Sequence, residues 1–305
     1  MKYVWLFTLI LVFQSCDTKV SVEKDGKTII GEDPMAKLED RQLSQEFKDY
    51  WYNGTAEISS YELSQARYGE MREGTAVMIF VTEPFDKKDQ IKADKSKQTN
   101  RPVLKLNATR NFNTGIYPYS IMSSTFLPLN KKDNAIKIAT SIQEWCGHTY
   151  MQLNQDGDQY NVMLHSYFQS EGNREFEVDN VITENQLAAQ LRLDPKEMPI
   201  GDFQMIPSTE YLRLKHIETK PYDAVAKLSE ITDGYLYSVK FTELGRTIDF
   251  KTEKEFPYRI LSWMDRYKDG AAPMVSSGTL QKTIIAPYWR QNTNKDAVMR
   301  DSLGL

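Results

Sequence analysis

The sequence predicts a mainly β protein of the α+β class: one large, curved antiparallel sheet or half-open barrel with a few covering helices. Three observations carry this. Segment after segment is rich in β-branched and aromatic residues. Turn signals separate them, the strongest being Asp156-Gly157 between two alternating runs. Only two segments have helical spacing, too few to act as the crossovers of a parallel sheet.

In chain order, Leu38 to Tyr52 reads as a helix. Leu43, Phe47, Tyr50 and Trp51 recur at spacings of three and four, and Asn53-Gly54 stops it. Thr55 to Tyr68 and Thr75 to Pro84 read as strands around Gly69 and Gly74. Ala76 to Val81 is apolar on both faces, which suits a central strand covered on both sides. Residues 86 to 101 mix Lys87, Lys88 and Lys95 with Asp86, Asp89 and Asp94, and read as a solvated hairpin end. Val103 to Asn113 and Tyr119 to Leu129 are two more strands. Ile136 to Leu153 and Tyr160 to Glu171 are expected to pair across Asp156-Gly157. Thr183 to Leu193 is a second helix, with Thr183 and Gln186 in capping-box positions and Pro195 beyond its end. Tyr235 to Phe241 alternates apolar and polar, as a half-buried strand does. Thr247 to Lys251, Tyr258 to Trp263 and Thr279 to Ile285 continue the pattern, and the polar residues 290 to 305 are frayed or weakly helical.

The beginning of the chain gives an address. Lys2, an apolar run from Tyr3 to Phe13 and Ser15 precede Cys16, which is followed at once by Asp17-Thr18-Lys19. Such a run describes a secretory signal peptide. It reaches only about 16 Å as a helix, against the ~30 Å of a bilayer core. A cysteine at the cut marks a bacterial lipoprotein, so Cys16 is the expected lipidation site, with palmitate among the attached chains. The domains are then a signal peptide over 1–15, a polar tether over 16–38 and one β-rich domain over 39–305. The lipid anchor makes the membrane the first partner.

Composition narrows the function. A net charge of −4 argues against a nucleic-acid partner. With Cys16 lipidated, Cys146 is the one cysteine left and no intramolecular disulfide can form. Phosphate-loop, dinucleotide, His-Glu-x-x-His and Gly-x-Ser-x-Gly motifs are absent from the sequence, and no cofactor is expected. Glu144-Trp145-Cys146-Gly147-His148 is the densest group of reactive side chains. On a strand, Glu144, Cys146 and His148 would share a face, making Cys146 a candidate thiol nucleophile with His148 and Glu144 in support. Cys146, His148 and His165, the last on the return strand, are candidate metal ligands. Packing into the core is the competing role for all of them. Aromatic groups at Tyr50-Trp51-Tyr52, Tyr117-Pro118-Tyr119, Tyr235, Tyr237 and Tyr288-Trp289 either stack on a ligand or line an apolar cavity, or else fill the core.

Two stretches carry a family resemblance. Tyr50-Trp51-Tyr52-Asn53-Gly54-Thr55-Ala56-Glu57-Ile58, running on to Gln65-Ala66-Arg67-Tyr68-Gly69-Glu70, is one, and Gln143-Glu144-Trp145-Cys146-Gly147-His148 is the other. They resemble an uncharacterised family of envelope lipoproteins in Bacteroidota whose members often carry the label "septum formation inhibitor Maf". The label implies a nucleotide pyrophosphatase with a Ser-x-Ser-Pro-Arg-Arg motif. Here Ser123-Ser124-Thr125 is followed by Phe126-Leu127-Pro128, without the paired arginines. Asp17 after the cysteine fits inner-membrane retention in some lineages and surface export in Bacteroidota, and the resemblance favours the outer membrane. The expected function is a non-catalytic envelope lipoprotein that binds an apolar ligand or a protein partner, or serves as an assembly module. The alternative is a thiol- or metal-dependent enzyme centred on Cys146 and His148.

Overall fold

In the computed structural model, residues 22–24, 27–29 and 40–305 are described, save 96, 98 and 131. Cys16 and the signal peptide lie outside the described residues. Val22–Lys24 and Lys27–Ile29 pair as a short antiparallel hairpin, a unit of its own.

The second unit is one sheet, and its strands follow from alternation and turns. They are β1 (Ala56–Arg67), β2 (Glu70–Asp86), β3 (Arg101–Thr114), β4 (Tyr117–Pro128), β5 (Lys137–Glu144), β6 (Gly147–Asp156), β7 (Gln159–Ser166) and β8 (Arg174–Asp179). After these come β9 (Ile182–Thr183), β10 (Gly201–Ile206), β11 (Tyr222–Ile231), β12 (Gly234–Phe241), β13 (Arg246–Glu253), β14 (Ile260–Asp269) and β15 (Ala272–Ala286). Ile91–Lys92 adds a short pairing to β2. The order across the sheet is β8-β7-β6-β5-β4-β3-β2-β1-β15-β14-β13-β12-β11-β10-β9. The chain therefore starts at the middle, meanders to one edge, crosses to the other and meanders back. β1 and β15, the first and last strands, are hydrogen-bonded neighbours. The edge strands β8 and β9 are separated only by Asn180 and Val181. A sheet whose two edges are that close along the chain must curl, yet no ladder joins them. The result is a barrel-like sheet with an open seam.

The expected curved antiparallel sheet is thus present, with two corrections. β9 pairs β10 in parallel, Ile182 with Met205 and Thr183 with Ile206, so the sheet is mixed at that edge. The expected single strand from Ile136 to Leu153 is two strands, because Trp145 and Cys146 form a hairpin turn between Glu144 and Gly147.

Among the described residues four α-helices accompany the sheet: α1 (Gln45–Trp51), α2 (Glu184–Leu191), α3 (Thr209–Lys215) and α4 (Met299–Leu303). The predicted first helix is shorter than expected. Ser44 accepts a hydrogen bond from the Phe47 amide at 3.0 Å and sets its start there. α2 begins where predicted, at the N-cap Thr183 with its capping box to Gln186. Its Leu187, Ala189 and Leu191 are fully buried in a core that also holds Leu104 and Leu127 from one half of the sheet and Tyr237 and Phe241 from the other. α2 therefore fills the inside of the curl. Each Leu so buried contributes about 1.5–3 kcal/mol relative to an exposed one.

Buried charges lock α2 in place. Arg246 on β13, 1% exposed, donates to both carboxylate oxygens of Glu184 on α2, at 2.5 and 2.6 Å. It also donates to Asp265 on β14 at 2.7 and 2.9 Å, and its guanidinium lies 3.8 Å from the centre of the Tyr211 ring on α3. At the other end of α2, Arg192 makes a two-pronged pair with Glu57 on β1 and donates to the Pro257 carbonyl at 2.8 Å. α4 lies against β1 and β15, where the Leu303 carbonyl accepts from Ser60.

Candidate functional site: the open seam

The chemistry anticipated around Cys146 is not assembled on one strand face. Glu144 ends β5, Cys146 is an exposed turn residue and His148 is an exposed residue paired with Gln143. His165 pairs with Tyr150 rather than with His148. The Glu144 carboxylate accepts from the Cys146 amide at 2.7 Å. It also accepts from the thiol, and that bond, with slight desolvation and the carboxylate's charge, pushes the thiol pKa up. A nucleophilic cysteine needs the opposite shift. Among the described residues no group of three His, Cys, Asp or Glu stands close enough to hold a metal ion. Iodoacetamide should therefore alkylate native Cys146 slowly near pH 7 despite its exposure, and Glu144→Gln should speed the reaction. Rapid labelling of the wild type at neutral pH would instead restore the thiol-enzyme reading.

The candidate aromatic groups divide between core and surface. Trp51, Tyr119, Tyr235 and Tyr237 are buried, with Trp51 and Tyr237 in the core around α2. Tyr52 and Trp289 are exposed. Ser123 and Thr125, from the triplet compared with the pyrophosphatase motif, are buried on β4, where Ser123 accepts from Thr140 at 3.1 Å.

The seam itself forms a cavity of about 1000 Å³. One wall is the edge strand β8, and the other is the segment from His216 to Pro221 that leads from α3 into β11. Leu164, Phe176, Val178 and Ile217 supply apolar lining, above a second core cluster that includes Leu153, Val162 and Leu212. Asn180-Val181 closes one end of the seam covalently. At the other end Glu171, in the loop before β8, reaches α3: its Oε1 lies 2.9 Å from Arg213 Nη1 and 2.8 Å from His216 Nδ1. Ser166 donates to the second oxygen at 2.6 Å. Burial alone would raise the Glu171 carboxyl, but these hydrogen bonds and the Arg213 charge outweigh it and hold its pKa low. An ionised Glu171 thus straps the two sides together. His216 can present its ring there because it caps α3 in the left-handed conformation, with φ of 52°.

Glu171, Arg213 and His216 were not among the residues singled out from sequence. Glu171 sits in the loop before β8 while Arg213 and His216 belong to α3 and its cap, and the one signal available was that His216 is the third of only three histidines.

The fold and the seam define a class, a barrel-like β protein opened along one side with a cavity in the opening. No family model matches the chain, and no curated protein matches it. Among solved structures it is similar to the β-barrel-like protein of domain of unknown function DUF1849 from Brucella abortus, at 10% identity and a TM-score of 0.45. That similarity covers 76% of this chain and 98% of the other.

Proposed function

We propose that this protein is a non-catalytic lipoprotein of the cell envelope, anchored through Cys16 to the outer membrane, whose seam cavity receives an apolar ligand or part of a protein partner. The observation that carries the binding role is the seam. A curled sheet with α2 inside leaves about 1000 Å³ between its edge strand β8 and the segment from His216 to Pro221, partly lined by apolar side chains and rimmed by charge. That size and mixed lining suit a binding cleft. The anchor rests on the run from Lys2 to Asp17.

Two measurements test this reading. A fatty-acid probe should label the wild type and not Cys16→Ala, and equal labelling of both would remove the anchor. For the seam, a photo-crosslinking amino acid is placed at Ile217, in the cavity, and separately at Met264, exposed on β14. In the producing cells, cross-linking at 217 should yield a defined lipid or polypeptide adduct by mass spectrometry, and 264 should not. The same products at both positions would dismiss the seam as a binding site.

A further inference from the structure

The side of β8 that faces the cavity carries unused main-chain hydrogen-bonding groups, and their phase can be read. Gln159 pairs with Asp179, and one step beyond that pair the Asn180 amide donates to the Asp158 carbonyl at 2.9 Å. In an antiparallel ladder the residues that bond to one neighbour alternate with those that point away. Residues 174, 176, 178 and 180 therefore bond to β7. Glu175, Glu177 and Asp179 turn their N–H and C=O groups to the seam. The Asp179 carbonyl is taken by the Val181 amide at 2.9 Å. Among the described residues the main-chain groups of Glu175 and Glu177 have no partner.

We propose that β8 accepts an extended peptide of the partner as an added strand, filling the seam. This deepens the seam reading above and rests on it. The side chains specify the peptide's chemistry. Phe176 is half-buried and Val178 buried, both on the inner face, with Ile217 on the opposite wall. Glu175, Glu177 and Asp179 are exposed on the outer face. A fitting segment is about six residues long, the length of β8, with apolar side chains turned inward and Lys or Arg at the alternating outward positions. A second copy of this chain is a poor occupant. Antiparallel pairing of two β8 edges would set Glu175, Glu177 and Asp179 against the same three carboxylates. An acidic peptide fails for the same reason.

The test uses the full-length, detergent-solubilised protein and a fluorescent eight-residue peptide alternating Lys and Val. Controls are the same peptide with Glu for Lys, and one with alternate backbone amides methylated. Anisotropy should show the Lys peptide binding at least tenfold tighter than either control. Hydrogen exchange at 174–179 should slow when it binds. Glu177→Pro removes an N–H that faces the seam and leaves the ladder donors of Phe176 and Val178 intact, so it should abolish binding. Glu175→Lys with Glu177→Lys keeps the backbone and should reverse the preference between the Lys and Glu peptides. Equal binding of the Lys and methylated peptides, binding that survives Glu177→Pro, or no binding by the Lys peptide would overturn the proposal. So would sedimentation showing a dimer whose 174–179 amides are protected without peptide. If the peptide fails while position 217 still cross-links a defined ligand, the strand-addition idea falls and the seam reading stands. If both fail, both are wrong.

Discussion

Arg246→Met should lower the free energy of unfolding by about 3–5 kcal/mol at neutral pH, the usual cost of removing one partner from a buried ion pair. Arg246 is the shared cation of Glu184 and Asp265, each less than a tenth exposed. Methionine keeps much of the side-chain volume but leaves two buried carboxylates without the cation bonded to both. The loss should also depend on pH. Even with Arg246 present, burial raises the Asp265 carboxyl, the guanidinium only partly offsetting it. Without Arg246 the buried Asp265 carboxyl should titrate further above its unfolded value of about 4. A raised folded-state pKa means stability that is full below the unfolded pKa and lost as pH rises through the folded one. The variant should therefore approach the wild type near pH 4 and fall away towards pH 7. Urea titrations followed by circular dichroism at both pH values read this. An equal deficit at the two would show that Asp265 is not left as an unpaired buried charge.

The second large effect is expected at Gly278 on β15. A Cβ built there would stand 2.1 Å from the Trp263 ring, which lies across the glycine from β14. Trp263 is 2% exposed and so has nowhere to move. Overfilling a packed interior costs typically 1–3 kcal/mol, and Gly278→Val should fall at the upper end. The thermal midpoint should drop by several degrees, with loss of the near-ultraviolet tryptophan signal. Gly278→Val combined with Trp263→Leu should recover part of the loss. An unchanged midpoint in the single variant would mean that the ring is not held against the strand.

Much of the fold was legible because its signals are local. Alternation marked β12, Asp156-Gly157 marked the turn from β6 to β7, and Thr183 with Gln186 marked α2. Other parts gave weak signals. The inward residues of β11 include the small Ala224 and Ala226, which fit beneath Phe241 and Val239 but hardly register as apolar alternation. The Trp145-Cys146 turn needs no positive φ at its two residues, so it lacks the usual Gly or Asn. That hidden turn is why Glu144, Cys146 and His148 looked like neighbours on one face. The seam was illegible for a different reason. Its walls are β8 and the segment entering β11, about 40 residues apart in the chain. Which strands become edges is a property of the whole topology, and no single stretch records it.

The pairing of first strand with last has a consequence for how the molecule is assembled. Each half of the sheet is built from sequential hairpins, so each can zip up from short loops. The ladder between β1 and β15 joins residues such as Ser59 and Thr283, which come together only when nearly the whole chain is present. Closing so long a loop is entropically costly and tends to be slow. That ladder is therefore expected late in folding, and until it forms the two halves are joined by the Asn180-Val181 link, by α2 and by contacts of α3 such as Arg213 and His216 with Glu171. Once it has formed the roles are exchanged. The central ladder holds the halves, and a protease nick at Asn180-Val181 would leave a two-fragment protein that stays whole.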